Sequence, residues 1–177
     1  MTADEQCPPE FDIQIAIEAP SWPDYDVLEI LCHTTIGAAA RLLASQEGQS
    51  FAPNSELSLL FSNDADIREI NRQWRQQDKP TNVLSFPASA VEPGETPDPL
   101  LGDIMLAHET VEKEALALDI SFDNHLTHLL VHGFLHLLGY DHENDDDAAI
   151  MEDLETGILA TLNLSDPYEN FFQSEER

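Results

Sequence analysis

His132-Gly133-Phe134-Leu135-His136-Leu137-Leu138-Gly139-Tyr140-Asp141-His142 closes an apolar run that begins at Phe122. From Phe122 to Leu138 the residues are apolar on nearly all sides, which predicts a central, buried helix. His132 and His136 lie four residues apart on one face of that helix, with Cβ atoms about 5–6 Å apart. Two imidazoles so placed can meet at one metal ion, with Zn–N distances of about 2.0–2.1 Å. Gly139 follows the last helical residue, and glycine takes the left-handed conformation that ends a helix without steric cost. The chain can then turn and bring His142 to the same ion. Three neutral ligands leave zinc its full charge and one open position, where water is acidified to a pKa of about 7. The expectation is one zinc ion per chain, held by His132, His136 and His142.

Of the four histidines that precede the motif, two lie close before it. His128 lies one turn before His132, and His125 about one turn earlier again. Three ligands already suffice, so both are expected to be structural or to orient a ligand. The spacing H-x-x-x-H-x-x-G-x-x-H also matches the metzincin metalloproteases, which carry a general-base Glu directly after the first His. Here that position is Gly133, and this is the main argument against a peptidase. Met151 lies at a distance compatible with a methionine turn, but its helical spacing between apolar residues favours core packing.

Outward from the motif, strands and helices mix. Phe11, Ile13, Ile15 and Ile17 alternate with polar residues and predict a half-buried strand. A helix is expected from Val27 to about Ala44, ending near Gly48. Glu56–Phe61 reads as a strand, and Asn63 can cap a helix from about Ala65 to Arg75. Thr81–Phe86, bracketed by Pro80 and Pro87, is a third strand. Residues 88–100 are rich in Pro, Glu and Gly and predict a mobile surface loop. Gly102–Ala107 is a short strand and His108–Leu118 a helix. A last helix starts at Asn144, with an acidic first turn suited to the helix dipole, and reaches about Leu162. No regular β-α-β alternation is visible, so the expected class is α+β: one domain, a small mixed four-stranded sheet and about five helices. The expected domain spans 11–165, between a flexible N-terminal tail at 1–10 and a C-terminal tail at 166–177.

A chain of 177 residues that is 42% hydrophobic supports one ordinary core. Neither a membrane-spanning run of about 20 apolar residues nor a signal peptide is read from the sequence, which predicts a cytoplasmic protein with no membrane partner. Cys7 and Cys32 form no metal or redox motif. The charge is extreme, with 7 basic against 35 acidic residues and a formal net charge of −28. Such a chain repels nucleic acid on average, and the acidic excess reads as a solubility or salt-adaptation feature. Yet Arg68, Arg72, Arg75 and Lys79, four of the seven basic residues, fall within twelve positions. A polyanion must be met there or at a bound cation.

The string HGFLHLLGYDH closely resembles the signature of the YbeY family of bacterial endoribonucleases and rRNA maturation factors. Trp74-Arg75 with Asp78-Lys79-Pro80-Thr81-Asn82-Val83-Leu84-Ser85-Phe86-Pro87 resembles the family's Arg-containing segment and following strand, and Leu101-Gly102-Asp103-Ile104 its Gly-Asp-Ile strand. Asn82 stands where the family usually has Asp. The resemblance implies an α+β fold, zinc on the three histidines, and maturation of ribosomal RNA ends, above all the small-subunit 3′ end. It further implies ribosome quality control, with the ribosome, a ribosomal protein and a partner exoribonuclease as partners.

The chemistry expected is hydrolysis of a phosphodiester in single-stranded RNA. Zinc would polarise a phosphoryl oxygen or supply hydroxide. Arg75 would stabilise the transition state through bidentate contacts. Arg68 and Arg72 lie on nearby turns and could steer phosphates. Asp141 could orient a histidine, accept a proton or cap the turn. The rivals are a zinc-containing ribosome-assembly factor without catalysis and, on the metzincin spacing, a metalloprotease.

Overall fold

A computed structural model describes residues 10–168. Its elements run β1 (Phe11–Ile17), α1 (Tyr25–Glu47), β2 (Ser55–Ser62), α2 (Asp64–Arg75), β3 (Val83–Pro87), β4 (Leu100–Ala107), α3 (His108–Leu118), α4 (Phe122–Leu137) and α5 (Asp145–Thr161). The strands form one sheet in the order β1-β2-β4-β3. β2 pairs in parallel with both β1 and β4, while β3 runs antiparallel to β4. Pro87 is tolerated at the end of β3 because that strand lies at the sheet edge.

The period-2 alternation decides which side chains face which layer. Leu57, Leu59 and Phe61 point into the large core shared by α1, α4 and α5. Leu60, between them, joins a smaller cluster of Ile67, Leu84, Met105 and Ala107 beneath α2. α4 lies deepest: Leu126, Leu130, Val131, Phe134 and Leu135 are fully buried. Phe134 packs edge-on against Phe11 and stacks with Phe51. Burying a side chain of that size contributes about 1.5–3 kcal/mol. Cys32 is sealed in the same core, where burial pushes its thiol up to about 12 and leaves it inert.

Three expectations need correction. The first half of the chain does alternate, since β1, α1 and β2 make a parallel β-α-β unit. Alternation stops at the antiparallel β3–β4 pair and the three helices that follow, so the mixed α+β class stands. α1 extends beyond both expected ends, and its C-terminus is closed by Gly48 at φ 64°. By length and hydropathy α1 alone among the described residues could cross a membrane; half of that stretch is buried within the protein. The Pro-rich connection at 88–99 is tied down rather than loose: Gln49 Nε2 donates to Glu95 O at 2.8 Å, and Glu56 N to Pro99 O at 2.7 Å. The expected N-terminal tail lies outside the described residues save for residue 10.

Candidate metal centre

Ser121 caps α4 by accepting from Asn124 N, and the helix then carries His132 and His136 to its last turn. Gly139 follows at φ 95°. A Cβ there would stand 2.2 Å from Val91 O, so only glycine lets the 88–99 connection pass over the turn. Asp141 Oδ1 accepts from His142 N at 2.7 Å and fixes the return that presents the third histidine. The result brings one ring nitrogen from each of His132, His136 and His142 within 4.8 Å of the others. The Nε2 atoms of His132 and His136 are 3.0 Å apart. Two nitrogens bound to one tetrahedral zinc ion stand about 3.3 Å apart, so this donor set fits a metal ion with little adjustment.

The surroundings set the charge state of these rings. Burial, then the neighbouring His132 and His142, lowers His136 to about 4, which keeps it neutral and ready to ligate. His132 Nδ1 donates to Glu155 Oε1 at 2.5 Å, which leaves its Nε2 turned to the other two histidines. Glu155 is fully buried on α5. Burial alone would raise its carboxyl, but hydrogen bonds to and electrostatic attraction from His128 and His132 outweigh it and hold the group at about 2. His128 Nε2 donates to Glu155 Oε2 at 3.1 Å, and Tyr168 Oη donates to the same oxygen. Tyr168 lies in the segment expected to be a tail, of which residues 169–177 are outside the described residues; its ring packs edge-on against His128.

His125 belongs to a separate chain of contacts. Its Nε2 donates to Glu114 at 3.0 Å, and Asn82 Nδ2 donates to the same carboxylate at 2.9 Å. Burial pushes Glu114 up, but these two donors prevail and lower it below the usual range. An amide at position 82 suits this arrangement, because an Asp there would face an ionised carboxylate without a proton to share.

The three histidines open into a cleft of about 820 Å³, lined also by Arg75, Asn82, Ser85, Ser89, Asp141 and Glu143. Arg75 forms no ion pair with any described residue, whereas Arg68 is paired with Asp78 at 2.8 Å and Arg72 with Glu69. Of the three arginines in the cluster, Arg75 alone thus combines a place in the cleft with an uncommitted guanidinium.

A model of the family described as Endoribonuclease YbeY matches residues 30–163. The chain belongs to the YbeY family. Among YbeY relatives, an Endoribonuclease YbeY of Rhizobium etli (strain CIAT 652) is 60% identical over 161 residues, covering 90% of this chain and 94% of its own. That of Rhizobium meliloti (strain 1021) is 60% identical over 158 residues, covering 89% and 94%. The solution structure of TM1509 from Thermotoga maritima aligns with a TM-score of 0.52 at 25% identity, over 88% of this chain and 97% of that one. YbeY membership places the protein among the endoribonucleases, hydrolases of phosphodiester bonds.

The metzincin spacing carries a different core. A Cβ on Gly133 would lie 3.1 Å from Ile104 Cγ2 and 3.1 Å from Ser85 Oγ, so the strands occupy the space a general-base Glu would need. Met151 is buried within α5 and forms no turn beneath the histidines. Sequence reasoning missed Glu155 and Tyr168. The available signal was a lone Glu on the apolar stripe Met151, Leu154, Ile158 and Leu159 of α5.

Proposed function

We propose that the protein is a zinc-dependent, single-strand-specific endoribonuclease that matures ribosomal RNA, acting in processing of the 3′ end of the small-subunit 16S rRNA, and serves ribosome quality control in the cytoplasm. The observation that carries the reading is the shared cleft: Arg75 and the three histidines line one cavity, in a family of endoribonucleases. His132, His136 and His142 hold the zinc, for which imidazole donors are well suited. The ion, when bound, supplies a Lewis acid and an acidified water.

The chain's own residues do the rest. Arg75 takes the scissile phosphate in a bidentate grip and stabilises charge as it builds on the non-bridging oxygens, a geometry lysine cannot copy. Glu155 holds the His132 ring in one tautomer. Asp141 shapes the His142 turn, and its second oxygen is a proton acceptor at the cleft wall. The ribosome, a ribosomal protein and a partner exoribonuclease are the expected company.

The test is cleavage of a fluorescent single-stranded RNA carrying the small-subunit 3′ region by purified protein. Cleavage that is lost on chelation, restored by zinc and absent in His136→Ala is the expected result. Zinc-loaded protein that cuts neither free RNA nor RNA within ribosomes would return the reading to a non-catalytic assembly factor.

A further inference from the structure

The two tryptophans have opposite fates. Trp22 is 6% exposed, packs edge-on against Phe61 and donates its indole N–H to Ser62 O at 2.8 Å. Trp74 is 71% exposed, and its indole makes no hydrogen bond to any described residue. It stands at the end of α2, immediately before Arg75. Consecutive helical residues diverge by about 100°, so the two side chains leave the helix in different directions. Arg75 lines the metal cleft, while Trp74 lines a second, more apolar groove of about 1110 Å³ over the outer face of the sheet.

The two cavities share a wall. Phe86 and Pro87 line both, and the Trp74 ring sits 6.2 Å from that of Phe86 at an angle of 61°. A nucleic acid strand whose phosphate is gripped by Arg75 has the Phe86–Pro87 ridge beside it and the exposed indole face just beyond. The groove past Trp74 is lined by Glu18, Asp66, Glu69 and Asp103 and by no lysine or arginine, and Glu69 already pairs with Arg72. That lining repels a continuing phosphate backbone but accepts an uncharged base.

We infer that Trp74, backed by Phe86, is a stacking platform for one nucleobase of single-stranded RNA, next to the phosphate held by Arg75. The inference rests on the RNA substrate proposed above and adds a recognition element to it. Stacking uses the π-face common to every base, so the platform tolerates sequence. It also discriminates strandedness, because a base in a duplex already has both faces covered. An unpaired base next to the cleaved bond is thereby selected without any base-edge readout.

Trp74 gives its own signal, since Trp22 is the only other tryptophan and is buried. Metal-loaded full-length protein is titrated with a 2′-O-methyl adenosine octamer, and with an abasic octamer of the same backbone, while intrinsic fluorescence is followed. The octamer should quench the exposed tryptophan and the abasic strand should not. Trp74→Ala should keep its metal content and melting temperature, yet bind the octamer about 5- to 150-fold more weakly, with Trp74→Phe recovering most of the loss. Octamer binding without quenching and undiminished in Trp74→Ala overturns the platform and leaves the RNA reading intact. An octamer that fails to bind, on a protein that also cuts no RNA, removes both. Quenching by a lysine-rich peptide and none by RNA overturns the platform in favour of a protein-docking groove.

Discussion

His132 and Glu155, 23 residues apart, are joined by a 2.5 Å hydrogen bond from Nδ1 to Oε1, and the partners of Glu155 extend to Tyr168 near the end of the described chain. Because the carboxyl is held at about 2, it is an acceptor at neutral pH and the imidazole must donate. Orientation of this kind typically contributes 10- to 100-fold in metal affinity. Glu155→Gln is therefore expected to weaken zinc binding by about 10- to 100-fold, and Tyr168→Phe to weaken it by less in the same direction. Competition with a chromophoric chelator measures both. Wild-type affinity in Glu155→Gln would show that the pair does not orient the ligand.

Arg75 leads to a kinetic prediction. If the guanidinium supplies about 2–3 kcal/mol in the transition state, Arg75→Ala should lower RNA turnover by tens- to hundreds-fold. Zinc content should not change, since Arg75 is not among the clustered nitrogen donors. Arg75→Lys should recover little, because an ammonium offers no planar fork. Single-turnover cleavage beside metal analysis separates these outcomes, and unchanged turnover in the alanine variant removes the assigned role.

Gly133 is constrained by space. Gly133→Ala gains about 1 kcal/mol of helix propensity but brings its Cβ to 3.1 Å from Ile104 and Ser85, so its net effect should stay within about 1 kcal/mol. Gly133→Glu must force a long charged chain between α4 and the β3–β4 pair and should cost about 3 kcal/mol or more. Urea denaturation gives both values. A stable Gly133→Glu variant with peptidase activity would contradict the account.

The metal-free protein should lose stability on mild acidification. An imidazole in the unfolded chain has the ordinary value of 6.5, whereas folded His136 is lowered to about 4, mainly by burial. Between those values the unfolded chain binds more protons, so its contribution is full above 6.5 and is lost as pH falls toward 4. The full shift corresponds to about 3 kcal/mol, which partial exposure of the ring to solvent reduces to about 2 kcal/mol. Glu155 acts with the same sign at lower pH, between 4.5 and about 2. Urea midpoints of chelated protein at pH 7, 5.5 and 4.5 should decline in order, and the decline between 6.5 and 4 should shrink in His136→Gln.

Much of this was legible from local pattern. The i, i+4 histidines, the turn glycine and the period-2 strand at Phe11–Ile17 are short-range signals, and the structure keeps each of them. The basic cluster pointed to Arg75 because cations are so scarce. What stayed hidden depends on long-range placement. Parallel pairing of β1 with β2 appears only once α1 has carried the chain across. Glu155 was one acid among 35 acidic residues until α5 docked its apolar stripe against α4. Tyr168 falls within the stretch read as a C-terminal tail, and Glu114, the partner of Asn82, lies 32 residues away along the chain. Val91 and Gly139 meet through backbone atoms, a contact that composition does not encode.

The pairing of Arg68 with Asp78 and of Arg72 with Glu69 has a kinetic consequence. With those two charges spent internally, a chain of net charge −28 has almost no long-range pull on a polyanion. An incoming RNA is repelled until it reaches the cleft, so dissolved ions that shorten the Debye length should hasten the encounter rather than slow it. Stopped-flow association with single-stranded RNA should accelerate from low to physiological ionic strength, the reverse of the usual behaviour of nucleic-acid-binding proteins. Capture is then left to the few groups that face the cleft, and strands that cannot engage them drift away.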